Sequence, residues 1–459
     1  MNIKINTDKI YSVFEGFGAS GAWWAQEVGG WTHTDPKSGI AVRDEISRLL
    51  YDKDYGIGLR TYRYNIGAGS AHSGNGDIPM RMRRTESFDA GEGKYDFRRD
   101  ENAAYMMNRA AKDGADEIIL FVNSPIERLT KNGWSHLKKT QIMRDNLAQK
   151  NYKAFADYCL DVTEHFVSEG LPVKYLSPIN EPIWIWTGGQ EGCHYSPWSA
   201  AKVMKCFADE MQKRPTLSGV KLSGVESGDI RWFNKSYTRA LMKYESVRNR
   251  IDSVDVHSYF LKFPIPLPVK FMDDRHGFLR RYRKWLDKHY PDLPVKMSEW
   301  CHMQGGRDKT MKSALVMANV IYDDISILNV TSWQHWIAVS EVDYCDGLIY
   351  INLNDKTYEM TKRYYATGNF SKYIPYGSKR VDVSSDDNEI KLLAFDSGES
   401  IIVIAINDTD KVKTVSIPDC ENAEIIVTDN NNDLVEYPFE SGKTHITPES
   451  VNTIIYKKR

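Results

Sequence analysis

Eight short apolar runs, each followed by a longer stretch, occupy the chain between residues 14 and 340. They are FEGFGAS (14–20), GLRTYRYN (58–65), EIILFVNS (117–124), VKYLSPIN (173–180), VKLSGVES (220–227), IDSVDVHSYF (251–260), PVKMSEW (294–300) and VTSWQHW (330–336). The segments between them have helical periodicity. In NYKAFADYCLDVTEHFVSEG, apolar side chains recur at Tyr152, Phe155, Cys159, Leu160, Phe166 and Val167, close to the spacing that puts one stripe along a helix. Gly170 and Pro172 then stop it. ALVMANVIYDDISIL (314–328) is apolar on most faces, as expected of a helix pressed between a barrel and its neighbours. Eight such units favour a closed (β/α)8 TIM barrel over a doubly wound sheet.

After about residue 375 the pattern changes to short β-rich runs, such as EIKLLAFD, SIIVIAIND and NTIIYKK, separated by Asp, Asn, Gly and Ser turns. This predicts an appended all-β sandwich. The alternating start, MNIKINTDKIYSV, is expected to add a strand to it. The division expected is a barrel over 14–372 and a side domain made from 1–13 and 373–459.

Charge narrows the partners. Lys and Arg number 60 against 62 Asp and Glu, a net charge of -2, without the basic excess that a phosphate backbone demands. Nucleic acid is not an expected partner, no membrane segment is visible, and nothing indicates an oligomeric state. The start has no apolar secretory core, so a cytoplasmic location is expected, or secretion if a leader precedes this start. Six scattered cysteines without a CxxC pair fit reduced thiols.

Active sites of TIM barrels are built at the C-terminal ends of the strands. Glu181 ends the fourth strand candidate and Glu299 the seventh, so two carboxyl groups 118 residues apart in sequence can face each other across one rim. Hydrolysis of a glycosidic bond needs such a pair, one to protonate the leaving oxygen and one to attack or to activate water. A structural ion pair uses the same residue type, so each carboxylate alone carries little weight. Tryptophans surround both: Trp23, Trp24 and Trp31 follow strand one, Trp184, Trp186 and Trp198 follow strand four, Trp300 follows strand seven, and Trp333 and Trp336 lie at strand eight. Flat rings with polar edges suit the faces of sugars, although any one of them packs equally well in a core.

GFGAS (16–20), GLRTYRYNIGAG (58–69), SPINEP (177–182) with QEGC (190–193), HSY (257–259), SEW (298–300), SWQHWIAVSEVDYCDGLIY (332–350) and GNFSKYIPYGSKRV (368–381) occur in one order. Together they resemble glycoside hydrolase family 30, most closely its endo-β-1,6-galactanase-like branch, over nearly the whole chain. The resemblance implies a retaining mechanism with Glu181 as acid/base and Glu299 as nucleophile. It also implies Arg63 holding the nucleophile charged, Asn180 on the sugar 2-hydroxyl, and Tyr259 orienting Glu299. His257, two residues before Tyr259, either meets substrate or the acid/base or is a satisfied core histidine. Trp24, Trp184, Trp186, Trp300, Trp333 and Trp336 are the candidate sugar platforms.

One loop departs from that branch. NSPIERLTKNG (123–133) carries Ile126, Glu127, Arg128 and Leu129 where the branch has Pro, an aromatic and Met. Arg128 is therefore a candidate contact for a charged substituent, the alternative being a solvated Glu127–Arg128 pair. The glycine-rich IGAGSAHSGNGD (66–77) lacks both the P-loop lysine and Rossmann spacing, and is expected to be a flexible rim loop. Cys301-His302 has no second ligand pair nearby, so no metal or cofactor is expected. The reading is a β-glycoside hydrolase of β-1,6-linked galactose chains. An exo-acting β-glycosidase on small galactosides, glucosides or fucosides and a non-catalytic carbohydrate-binding protein are the alternatives.

Overall fold

The computed structural model describes residues 1–73, 77–91, 93–141, 144–261, 274–417, 420, 423–439 and 443–458. All eight expected barrel strands form. After an N-terminal strand, β1 (Ile3–Val13), they are β2 (Gly16–Ser20), β3 (Thr61–Asn65), β4 (Glu117–Phe121), β5 (Val173–Ser177), β6 (Lys221–Ser223), β7 (Ile251–His257), β8 (Val295–Trp300) and β9 (Ser332–His335). Each pairs in parallel with the next, and β9 closes onto β2 with Ser332 opposite Gly16. Parallel strands need crossover connections, and helices such as Tyr152–Ser168 and Met311–Asp323 supply them.

β6 is shorter than the sequence suggests. The regular ladder stops after Ser223 and resumes as isolated parallel bridges on both sides, Asn180 with Glu226 and Ser227 with Val256: the Glu226 N–H donates to the Ile179 carbonyl (3.1 Å), and its carbonyl accepts from the Glu181 N–H (2.8 Å). The helix expected to reach residue 328 opens at Asp324 into a wide π turn over Asp324–Leu328, which ends at Asn329 with φ +59°. Such turns redirect side chains that a regular helix would bury elsewhere.

β1 joins the C-terminal sheet, pairing antiparallel with Lys379–Ser385, and becomes one edge of a seven-stranded sheet. The strand Ser400–Asn407 shows how this sheet is held. Side chains alternate across a strand. Ile402, Ile404 and Ile406 therefore join the core shared with the barrel, while Ile401, Val403 and Ala405 join a second core with Ile3, Val415 and Ile446. Val415 and Ile446 belong to a two-stranded ribbon, Lys413–Ser416 with Lys443–Ile446.

Phe14 links barrel and sheet. It is fully buried, with ring centroids 5.0 Å from Phe17 at the start of the barrel and 5.5 Å from Phe395 in the sheet, and its N–H donates to the Ser378 carbonyl (2.8 Å). Deleting a buried ring removes its transfer energy and leaves a cavity. Phe14→Ala is expected to cost about 3–5 kcal/mol, measured as a fall in the urea midpoint; a loss below about 1 kcal/mol would show that barrel and sheet are held by other contacts.

Candidate active site

Arg63, in β3, is wholly buried at the barrel mouth with its charge spread over three acceptors. Nη1 donates to Glu299 Oε2 at 2.9 Å, and Nη2 to Glu226 Oε2 at 2.8 Å and Asn180 Oδ1 at 3.1 Å. Its guanidinium carbon lies 3.6 Å from the Phe121 ring centroid, so the cation is capped by an apolar face. Asn180 is oriented in turn by donating through Nδ2 to Asn123 Oδ1 (3.0 Å).

His257, at the end of β7, ties the carboxylates together. Nδ1 lies 2.7 Å from Glu181 Oε1 and 3.6 Å from Glu299 Oε1, and Nε2 lies 3.1 Å from Glu226 Oε2. Tyr259 donates its hydroxyl to Glu299 Oε1 at 3.3 Å. One carboxylate oxygen of Glu181, one of Glu299 and a ring nitrogen of His257 all lie within 4.8 Å of one another. These three are also the described group that could hold a metal ion, but both imidazole nitrogens already face carboxylates and a guanidinium already faces Glu299.

Burial and neighbours push the ionisations apart. Burial raises the Glu181 carboxyl to about 7, with His257 opposing the rise and the Glu299 charge adding to it. Burial would lower His257, but the Glu299 charge and the bonds to Glu181 and Glu226 outweigh it and lift the imidazole to about 10. Burial would raise Glu226, yet the Arg63 charge and His257 bring it down to about 2. The imidazole is thus a cation donating from both nitrogens. Glu181 is the carboxyl that carries a proton near neutrality, and with Oε1 accepting from His257 that proton belongs on Oε2.

A cleft of about 360 Å³ opens over this cluster, lined by Asn123, Asn180, Glu181, Trp184, Trp186, Gln190, Gly228, Tyr259, Leu261, Glu299, Met303 and Trp336. The structure brings together Arg63, Asn180, Glu181, His257, Tyr259 and Glu299, with Trp184, Trp186 and Trp336 around them. A Cβ at Gly228 would collide with the Nε1 edge of the Trp184 indole, so the glycine is what lets that edge approach the backbone there.

Four of the expected contacts lie elsewhere. Trp24 is in the core with no exposed surface, its indole N–H given to the Ser20 carbonyl (2.9 Å); its neighbour Trp23 is the ring that meets Trp336, edge-on at 5.0 Å. Trp333 is buried because Asp324, turned inward by the π turn, accepts its indole N–H at 3.1 Å. Trp300 is 6% exposed beneath the cleft, packed between His302 and Trp333. Arg128 is committed to Asp89 through two bonds of 2.6 and 2.8 Å and does not line the cleft. Nor is it paired with Glu127, which accepts from the Ser135 N–H (3.2 Å). In the glycine-rich segment, 74–76 lie outside the described residues, while the Ala68 and Ser70 amides are anchored on the buried Glu191. Sequence reasoning missed Glu226 and Asn123. Each stands just past a barrel strand in the same way as Glu181, and that position was the available signal.

A closed parallel barrel whose mouth holds an opposed acid and carboxylate beneath tryptophans defines an enzyme that cleaves carbohydrates at a glycosidic bond. The family model described as O-Glycosyl hydrolase family 30 matches residues 1–350, and the chain belongs to that family. It is similar to an endo-β-1,6-galactanase of Hypocrea rufa, 23% identical over 446 residues that cover 90% of this chain and 82% of that protein. Among solved structures it resembles a conserved exported protein from Bacteroides fragilis, with TM-score 0.85 and 21% identity over 99% of this chain and 100% of that one. It also resembles the catalytic domain of a GH30 xylanase C from Talaromyces cellulolyticus, with TM-score 0.76 and 17% identity over 100% of both chains. No described helix is long and apolar enough to cross a membrane.

Because the Arg63 charge and His257 hold Glu226 below its ordinary value of 4.5, at about 2, its ionised form contributes stability that is fully present above pH 4.5. That contribution is lost as pH falls through about 2. Glu226→Gln is therefore expected to lower the unfolding free energy at pH 7 by about 3–5 kcal/mol, the cost of leaving buried cations without a partner, with a deficit that shrinks as pH drops from 4.5 toward 2. Urea titrations at pH 7 and pH 3 measure this; an equal deficit at both would show that the charge is not the cause.

Proposed function

We propose that this enzyme is a retaining β-glycoside hydrolase acting on β-1,6-linked galactose-containing oligo- or polysaccharides by double displacement. Glu181 is the acid/base and Glu299 the nucleophile. The observation that carries the mechanism is the approach of Glu181, Glu299 and His257 to within 4.8 Å of one another. Retaining pairs stand about 5–5.5 Å apart, whereas inverting pairs leave about 6.5–9.5 Å for a water between them. The substrate class rests on the likeness to the Hypocrea rufa endo-β-1,6-galactanase over 90% of this chain.

The first step breaks the glycosidic C–O bond. Glu181 Oε2–H protonates the leaving oxygen while a Glu299 oxygen bonds to the anomeric carbon. Arg63 and Tyr259 each donate to one Glu299 oxygen, which fixes the plane of the carboxylate. Once the glycosyl ester forms, the Glu299 charge is gone, and with it one of the causes holding Glu181 high. Glu181 is then the stronger acid, and its carboxylate takes a proton from the water that attacks the ester. Asn180 faces the same space and retains an N–H for the sugar 2-hydroxyl.

Two outcomes check this. First, the general acid must be protonated, so kcat/KM falls as pH rises through the Glu181 value of about 7; a profile flat to pH 9 removes Glu181 from the role. Second, β-1,6-galacto-oligosaccharides are expected to release products that first appear as the β-anomer, observed by proton NMR. Glu299→Gln should lose at least about 10³-fold in kcat. An α-anomer as first product ends the double-displacement reading. Binding without turnover in the unmodified enzyme would make the protein a lectin-like member of the family.

A further inference from the structure

Behind the cleft wall lies a buried carboxylate that the mechanism above does not use. Glu191 is 1% exposed and accepts from two backbone amides of the segment after β3, Ala68 N–H at 3.1 Å and Ser70 N–H at 3.2 Å. The Ser70 and Thr85 hydroxyls also serve it, and burial pushes its carboxyl up to about 7 against these bonds. A carboxyl group buried this fully is costly unless hydrogen bonds satisfy it, and here two amides and two hydroxyls do so, which ties it to the backbone after β3.

The backbone around it leads back to the acid/base. Gly192 follows directly and donates its N–H to the Ser135 carbonyl (2.9 Å). A Cβ at Gly192 would overlap the Trp186 ring, so that indole lies against the bare backbone beside Glu191. The Trp186 carbonyl accepts from the Leu137 N–H (2.6 Å), and its indole N–H donates to the Glu181 carbonyl at 3.2 Å. Glu181 itself has φ +44°, a conformation a non-glycine residue keeps only when its surroundings enforce it.

We propose that Glu191 is a positioning residue for the general acid: it locks the segment 186–192 onto the loop after β3, and through Trp186 holds the Glu181 backbone in the orientation that aims its carboxyl at the leaving oxygen. The inference rests on Glu181 being the acid/base.

General-acid assistance matters for a poor leaving group and hardly at all for a good one. The test compares kcat/KM on phenyl and 2,4-dinitrophenyl β-D-galactopyranosides. Glu191→Ala should lose about tenfold or more on the phenyl glycoside and less than about threefold on the dinitrophenyl one. Glu191→Gln keeps the shape and one acceptor and should fall between, and Trp186→Phe, which removes only the indole donor and some ring area, should show the same selectivity. Equal losses on both substrates, no loss on either, or failure of both Glu191 variants to fold would each overturn the proposal, because Glu191 would then be structural or idle. Glu181→Gln separates the underlying reading: if it shows no leaving-group selectivity, Glu181 is not the acid and this inference falls with it. If it does and the Glu191 variants do not, only the inference fails.

Discussion

The site depends on a buried guanidinium. Arg63 stands with no exposed surface among three carboxyl groups and one imidazole, and the low-dielectric barrel mouth makes the balance of those charges decisive. Two cations, Arg63 and His257, face Glu181, Glu226 and Glu299, so neutrality leaves one proton among the three acids. Glu226 receives Arg63, His257 and the Ser177 hydroxyl (2.6 Å), and Glu299 receives Arg63 and Tyr259. Among the described residues, Glu181 receives only the His257 Nδ1–H on its carboxyl. The acid with the fewest donors keeps the proton, and it is one that lines the cleft.

This arrangement gives a third carboxylate a place beside the proposed catalytic pair. Without Glu226, a cationic imidazole against Glu181 would be an uncompensated buried charge, and its neutral form would offer one donor instead of two. With it, His257 stays paired on both ring nitrogens, to Glu181 and to Glu226. The backbone exchange between Ile179, Glu181 and Glu226 secures the same relationship at the level of the chain, so the acid and its electrostatic support move as one body.

The fold was legible because its signals are local. Apolar periodicity, helix stops at Gly170 and the switch to turn-rich β segments all act over a few residues, and the eight strands formed where they were expected. Strand-end position also located Glu181 and Glu299, and the same rule applied to Glu226 would have completed the network. What sequence could not show is which way a large amphipathic ring turns. Trp23 and Trp24 are adjacent, yet one reaches toward the cleft and the other is buried, because Ser20 offers a carbonyl to Trp24. Trp333 is claimed by Asp324 only because a helix opens into a π turn before it. Arg128 is claimed by Asp89, a residue 39 positions away whose approach depends on tertiary packing.

Glu181 also bears a conformational cost. Its positive φ places it among residues whose backbone strain is on the order of 1–3 kcal/mol, and strain of that kind persists only where several contacts oppose its relief. Here the N–H is held by the Glu226 carbonyl, while the carbonyl accepts from both the Trp186 indole and the Trp184 N–H (3.2 Å). Side chain and main chain are thus fixed from opposite sides, by the charged network within the barrel and by the tryptophan-bearing loop outside it. In the proposed acid/base role, a carboxyl that must give a proton and later recover one gains from such restraint, since a near-attack geometry lost by even 1 Å costs about 10²-fold in rate. The strain is the consequence of turning a strand-end residue sharply enough that its acid, instead of its backbone, meets the cleft.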